Sequence, residues 1–495
     1  MSFDGSRIFA GGYFRGVNFQ YRDGFALIED ATDKLWPFTF SLNGGQVYTM
    51  EVSGTTMYIG GYFSAINKTV RRNLAAIDLA AGTILPSWAP SPIYTTASNR
   101  TPAVQTMKIK DNLLYIGGVF NAINTSATPR LNLAAIDLSS GAPAALNIAV
   151  GTTSSDAVNS LDITGNNLYV AGAFTNVGAQ SRANLAAIDL SAGSVLPWAP
   201  NSAGEVTKIK VANNTAYVVG DFTKGINGQS RSSALAAIDL STAKNTTWNP
   251  TLKGGRATDV DVTATDVYVG GFYDSVGTQP RMGLSSYSLA TGLLNSWNPD
   301  VGGNSDGQPS VDVIAAAPTR LHVGGSFEFV GNDDRTNYTE YSLCPLPFDV
   351  TVTGSTLVAP SATSYQWYKN GTAIPDATDQ SLQISYLENG TFSVEVIIGA
   401  CTVRSNDFVY LVTGQRNEPS LVKYFPNPAH DELFIDVPQR GVLNLYDIMG
   451  KAVRSVELYS EDTNRIDMRD LNSGTYVAIV QVGNVTDHFK ILKTR

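Results

Sequence analysis

Apolar and polar residues along the chain fall into two textures. Segments such as Val104-Gln-Thr-Met-Lys-Ile-Lys110 alternate, the period of a strand with one covered face. Runs such as Tyr115-Ile-Gly-Gly-Val-Phe120 and Leu133-Ala-Ala-Ile-Asp-Leu138 are apolar almost throughout, as strands covered on both faces require. A fourth short segment ends in Trp-x-Pro, and turn residues separate all four.

This order recurs. The glycine that ends each Tyr-x-Gly-Gly step falls at Gly12, Gly61, Gly118, Gly172, Gly220, Gly271 and Gly325, at spacings of 49, 57, 54, 48, 51 and 54 residues. Four strands per unit, repeated seven times, predict an all-β fold, a seven-bladed β-propeller over residues 1–343. Gly and Ala let neighbouring sheets approach, while Phe14, Phe63, Phe120, Phe174, Phe222 and Phe327 supply bulk. The pattern YxGGxF…R…LAAIDLxxG…WxP resembles the delta-60 repeat family of propellers, which occurs in large secreted or surface bacterial proteins. It is weakest in the first unit and in the last two, where Leu284-Ser-Ser-Tyr-Ser288 and Tyr338-Thr-Glu-Tyr-Ser342 replace the usual strand.

The opening, MSFDGSRIFAGGYF, has no basic region followed by an apolar core, and it starts inside a repeat. The seventh unit stops at Leu343 without its last strand. The expectation is an amino-terminal truncation that removes a signal peptide and the strand that would close the ring.

An arginine precedes the Asp slot of each unit, as Arg22, Arg71, Arg130, Arg182, Arg231, Arg281 and Arg335. Seven strand positions are about 23 Å, so Arg and Asp of one unit cannot pair. The Asp reads as a turn carboxylate accepting backbone N–H groups. Two readings stand for the arginines: bridges to carbonyls or acids of the scaffold, or a ring of guanidinium groups that binds an anionic glycan or a protein. Long connections at Ser91 to Pro102, Ala149 to Ala157 and Asp300 to Pro309 place any binding face at the same end.

Chemistry-bearing motifs are scarce. His322 is the one histidine of the repeats and reads as a core residue, and Gly303-Asn-Ser-Asp-Gly307 lacks the strand-to-helix turn of a nucleophile elbow. No metal-ligand spacing or phosphate loop occurs, so no cofactor or metal is expected and the chain reads as non-catalytic. A propeller hydrolase or lyase, whose paired acids would come from separate blades and leave no local motif, is the runner-up. A structural surface-layer component is the third reading. The net charge of -9 argues against nucleic-acid partners, and no window approaches the ~20 apolar residues of a membrane helix.

After Leu343 the repeat ends. Residues 344–414 hold short alternating strands around Trp367 and resemble the immunoglobulin-like β-sandwich modules of secreted Bacteroidota proteins. Cys344 and Cys401, the only cysteines, pair in an oxidising compartment or stay free. A linker at 415–423 leads to residues 424–495, a second small β-sandwich module. Its Pro426-Asn427-Pro428 opening, hairpin at Gly450, Gly474-Thr-Tyr476 strand and basic end with Lys490 and Lys493 are similar to the type A C-terminal sorting domain of the type IX (Por) secretion system. That resemblance implies passage through the periplasm, recognition by the outer-membrane translocon and sorting machinery, and release or cell-surface attachment. The combined expectation is a secreted adhesion or binding protein whose propeller presents a loop face to an unknown glycan or protein.

Overall fold

The computed structural model describes residues 2–3, 7–11, 16–17, 20–21, 24–29, 34–94, 101–125, 127–153, 155–222, 224–231, 233–303, 308–331, 333–334, 336–345, 347–353, 356–384, 390–398, 401–410, 422–460, 463–483 and 485–494. The chain is all-β and divides into two compact units, 1–343 and 344–495. Among the described residues no helix is long and apolar enough to cross a membrane.

Among the described residues of the first unit, seven main antiparallel sheets follow one another, each with its strands in chain order. The first strands are Ser2–Phe3, Gln46–Ser53, Ala103–Lys110, Ala157–Thr164, Val206–Ala212, Arg256–Val262 and Ser310–Ala316. From Gln46–Ser53 through Arg256–Val262 each lies against the next first strand, and Ser2–Phe3 touches both Gln46–Ser53 and Ser310–Ala316. In the third strands alternate residues serve different cores: Ala75 and Ile77 join Phe9, Phe25 and Phe63, whereas Leu74 and Ala76 join Val104, Leu114 and Phe120. The strand apolar on both faces is therefore the wall between two hydrophobic layers.

The fourth strand is shorter than the sequence suggests. It is two residues, as in Thr83–Ile84 and Ser194–Val195, or a single bridge, as between Ile136 and Pro143. Trp-x-Pro lies beyond it, because the tryptophan serves the neighbouring sheet instead. The indole of Trp88 packs edge-on to Tyr58 and donates to the carbonyl of Asp137, and Trp198 repeats this with Tyr169 and Asp239.

Every described first strand from Gln46 onward carries a β-bulge at one place, between Val47 and Thr49, Val104 and Thr106, Val158 and Ser160, Val206 and Lys208, Ala257 and Asp259, and Val311 and Val313. The repeated glycine faces it. A Cβ on Gly118 would stand 2.1 Å from the carbonyl oxygen of Ala103, which explains why the residue recurs. Between second and third strands, where loops were expected, short hairpins form, such as Ala65–Ile66 with Thr69–Val70, and Ala65–Ile66 also pairs with Leu42–Asn43 ahead of the first strand.

The second unit has two separate cores. One, around fully buried Trp367, is shared by the sheet containing Thr356–Val358 and the sheet containing Ser364–Lys369 and Gly390–Ile398. A disulfide joins Cys344 to Cys401 with Cα atoms 5.4 Å apart. The other core lies between the sheet of Lys423–Phe425, Glu432–Asp436 and Asn464–Asp467 and the four-stranded sheet ending in Val485–Lys493. The expected linker at 415–423 falls largely on 411–421, outside the described residues.

Candidate ligand site in the repeat unit

The first strands enclose a cavity of about 550 Å³. Each strand is paired with its second strand along one edge and, among the described residues, with no strand along the other, so its inward N–H groups need partners. Side chains of the preceding sheet provide them. Leu161 N donates to Thr106 Oγ1 (3.0 Å), Ile209 N to Ser160 Oγ (3.2 Å), Val211 N to Asp162 Oδ2 (2.7 Å), Ile314 N to Asp259 Oδ2 (2.8 Å) and Ala316 N to Asp261 Oδ2 (2.9 Å). Partners advance by two on both strands, so neighbouring first strands run parallel and begin at one common end.

Lysines complete the lining. Lys108 Nζ lies 2.9 Å from Glu51, Lys208 Nζ 2.8 Å from Asp259, and Lys210 Nζ 2.6 Å from Asp261. One position of the repeat thus reads Glu51, Lys108, Asp162, Lys210, Asp261, alternating in sign around the cavity. The Glu51 carboxylate raises the pKa of Lys108 against the opposing effect of burial, with Asp162 and Asp261 adding to it. Burial alone would lower Lys210, but Asp261 and Asp162 together raise it. Burial would raise Asp261, and Lys210 with the Ala316 N–H reverses this and lowers it. Three carboxylates, Glu51, Asp162 and Asp261, and three lysines leave this lining close to neutral, and all three acids are bound to lysine or backbone.

At the beginning of the first strands, the bulged position holds Tyr48, Gln105, Asn159, Thr207, Thr258 and Asp312. Tyr48 lines the cavity, yet its side chain is half exposed, and burial followed by the nearby Tyr62 raises its pKa. Tyr62 pairs with Gln46 and Phe272 with Arg256, so both exposed rings share this end. Asn159 Nδ2 donates to Glu205 Oε1 (2.6 Å) and to Val206 O (3.1 Å). Gln105 Oε1 is buried and receives no hydrogen bond from the protein.

The arginines are spent within their own sheets. Arg71 donates to the carbonyls of Val70, Leu85 and Pro86, Arg130 to Pro129 and Ala144, and Arg182 to Ser181 and Leu196. Arg281 does the same with Pro280 and Asn295, and Arg231, nearly fully buried, reaches Gln229. Arg22 and Arg335 lie outside the described residues. Each Asp caps its turn: Asp137 Oδ1 accepts from Ser139 N and Ser140 N, and these bonds with the two serine hydroxyls lower its pKa to about 2. His322 is fully buried, with Nδ1 3.1 Å from the Tyr338 hydroxyl.

Sequence reasoning passed over the cavity charges and Asn73, Asn132 and Asn184. Asn132, at φ 60°, accepts from Phe120 N and donates to Val150 O and Asp156 O of the next connection. The signal was an Asn directly before three Leu-Ala-Ala-Ile-Asp runs. Among the described residues no group of three or more His, Cys, Asp or Glu could hold a metal. The long connections fall partly at 95–100 and 304–307, outside the described residues, and 304–307 takes most of Gly303–Gly307 with it.

In the second unit, Asn427 clamps the last strand: its Nδ2 donates to Lys490 O (2.8 Å) and its Oδ1 accepts from Leu492 N (2.8 Å). Pro426 and Pro428 flank it on the surface, and Ala429 N donates to Leu492 O. Gly450, at φ 79°, closes the turn in which Asp447 Oδ1 accepts from Met449 N and Lys451 N. Gly474 opens its strand opposite Lys493, Tyr476 Oη donates to Asn472 O, Lys490 is exposed, and buried Lys493 turns its Nζ to Thr494 O.

Residues 423–494 match the family described as the secretion system C-terminal sorting domain. This tail marks the chain for export and cell-surface attachment by the type IX secretion system and implies contact with that machinery. No curated protein matches the chain. Among solved structures, the computationally designed Ika8 protein is 12% identical, covering 73% of this chain and 97% of its own, with a TM-score of 0.35. The designed Ika4 protein is 15% identical over 40% of this chain and 96% of its own, with a TM-score of 0.25. These likenesses are too slight to define the fold.

Proposed function

We propose that the repeat unit is a seven-bladed propeller of the delta-60 kind and that the exported chain is a non-catalytic binding or adhesion protein. Residues 344–414 act as an immunoglobulin-like spacer between the ring and the sorting tail. The binding face is the end at which the first strands begin. The observation that carries this reading is the exposure of Tyr48 in the lining of a cavity whose charged groups are already paired, and of Tyr62 and Phe272 at the same end of the sheets. Rigid rings with few torsions are effective contact residues, because little side-chain entropy is lost when they are covered.

A hydrolase or lyase would draw on Glu51, Asp162 and Asp261, the carboxylates that line the cavity, with Asp259 buried and paired to Lys208. Their bonds to lysines and to backbone N–H groups hold them in fixed positions, which suits a scaffold better than a proton donor that must move its proton to a substrate. The test is retention of the full chain on surfaces carrying glycans or envelope proteins. Tyr62→Ala with Phe272→Ala is expected to lower retention about tenfold while leaving the unfolding temperature unchanged. Retention indifferent to that pair would sink the reading.

A further inference from the structure

We propose that the cavity mouth between Tyr48 and Asn159 binds the end of a neutral oligosaccharide, with Gln105 accepting a hydrogen bond from a sugar hydroxyl. This deepens the binding reading above and rests on it.

Three observations converge on that chemistry. The first is Gln105, a residue of the cavity lining whose Oε1 is buried with no donor from the protein, so that turning its amide outward to a ligand gives up no hydrogen bond of that oxygen. A buried acceptor left unpaired is destabilising, so a residue placed this way favours a partner that brings a donor. The second is the half-exposed Tyr48 ring, with Tyr62 beside it. Flat aromatic rings at the edge of a polar cavity suit the apolar C–H face of a pyranose, while their hydroxyls stay wet. The third is charge. The carboxylates and lysines deeper in the cavity are paired with one another or held by backbone, and the chain carries a net charge of -9. An acidic glycan would meet no uncommitted cation there and would be repelled by the whole molecule, whereas a neutral one meets amides and hydroxyls. The volume of about 550 Å³ lies within the range of small-molecule sites.

The site differs from the arginine ring that the sequence suggested, since those guanidinium groups bond carbonyls of their own sheets. It also makes the opposite selection between acidic and neutral glycans.

Calorimetric titration of the full chain with neutral trisaccharides (cellotriose, maltotriose, mannotriose, chitotriose) and with acidic ones such as sialyllactose tests the proposal. At least one neutral sugar should bind, and the acidic sugars should bind at least tenfold more weakly. Gln105→Ala should weaken the neutral sugar about tenfold, whereas Gln105→Glu, which keeps an acceptor oxygen at the same reach, should weaken it less than Gln105→Ala does. Tyr48→Ala should weaken it by a similar factor, and circular dichroism should show all three variants folded. Absence of binding to any neutral sugar, tighter binding of an acidic one, or binding unchanged by both Gln105 variants would each overturn the site. If neutral sugars fail while retention on envelope proteins still depends on Tyr62 and Phe272, the sugar assignment falls and the binding face stands. If both fail, the binding reading falls with it.

Discussion

The Asp261 carboxylate lies 2.6 Å from Lys210 Nζ and also accepts Ala316 N, so one side chain joins the first strands of three consecutive sheets. Removing it leaves a largely buried ammonium and an unpaired backbone N–H. Asp261→Ala should lower stability by about 2 kcal/mol, less than the 3–5 of a fully buried pair because Lys210 is 31% exposed. A double-mutant cycle with Lys210→Met should show coupling above about 0.5 kcal/mol in chemical denaturation.

The arginines carry a prediction of the same kind. Arg281 is nearly buried and donates to Pro280 O and Asn295 O. Arg281→Ala should destabilise the repeat unit by about 2 kcal/mol, and Arg281→Lys should recover only part of that, because an ammonium cannot span both carbonyls as the guanidinium does. Ligand retention at the cavity mouth should be unchanged once both proteins are measured folded.

Acid should loosen the repeat unit within a definite window. Asp137 titrates near 2 in the folded protein, below its ordinary 3.8, and Asp261 is also lowered. A depressed carboxylate adds stability above its unfolded pKa and loses it as pH falls toward the folded value. Unfolding temperature should therefore hold steady near neutral pH and decline from about pH 4 downward. Asp137→Asn should flatten part of that decline. Lys210, being raised, keeps its contribution until pH rises past its ordinary 10.5.

Glycine at the bulge is a matter of space. Gly118→Ala would force a Cβ to within 2.1 Å of Ala103 O, whereas Gly474 in the sorting tail has nothing within 4 Å. The first substitution should cost about 3 kcal/mol, near the upper end for overpacking, and the second should leave its unit folded. Thermal unfolding of the two variants makes the comparison.

The architecture was legible because its cause is periodic. Apolar runs such as Leu133-Ala-Ala-Ile136 must have both faces covered, and the structure places alternate residues of the equivalent Leu74–Ile77 run in different cores. The sorting tail was legible from Pro426-Asn427-Pro428 and Gly474-Thr-Tyr476. The site was not. Glu51, Lys108, Asp162, Lys210 and Asp261 belong to five different repeats, and their alternation emerges only when one column is read down the units. Gln105 and Tyr48 are set apart by a bulge, which shifts register without altering residue type. The repeated arginine was conspicuous for an unrelated reason: Arg71, Arg130, Arg182 and Arg281 each tie the segment that follows the third strand back to their own sheet.

The central claim is that the exported ring binds and does not transform what it binds. The most direct measurement incubates the full chain with the polysaccharide or glycoprotein that retains it and follows both retention and new chain ends over time. The account predicts retention that Tyr48→Ala and Tyr62→Ala abolish together, with the ligand unchanged in length. Accumulating product that disappears with Asp162→Asn in a folded protein would contradict it and make the cavity an active site.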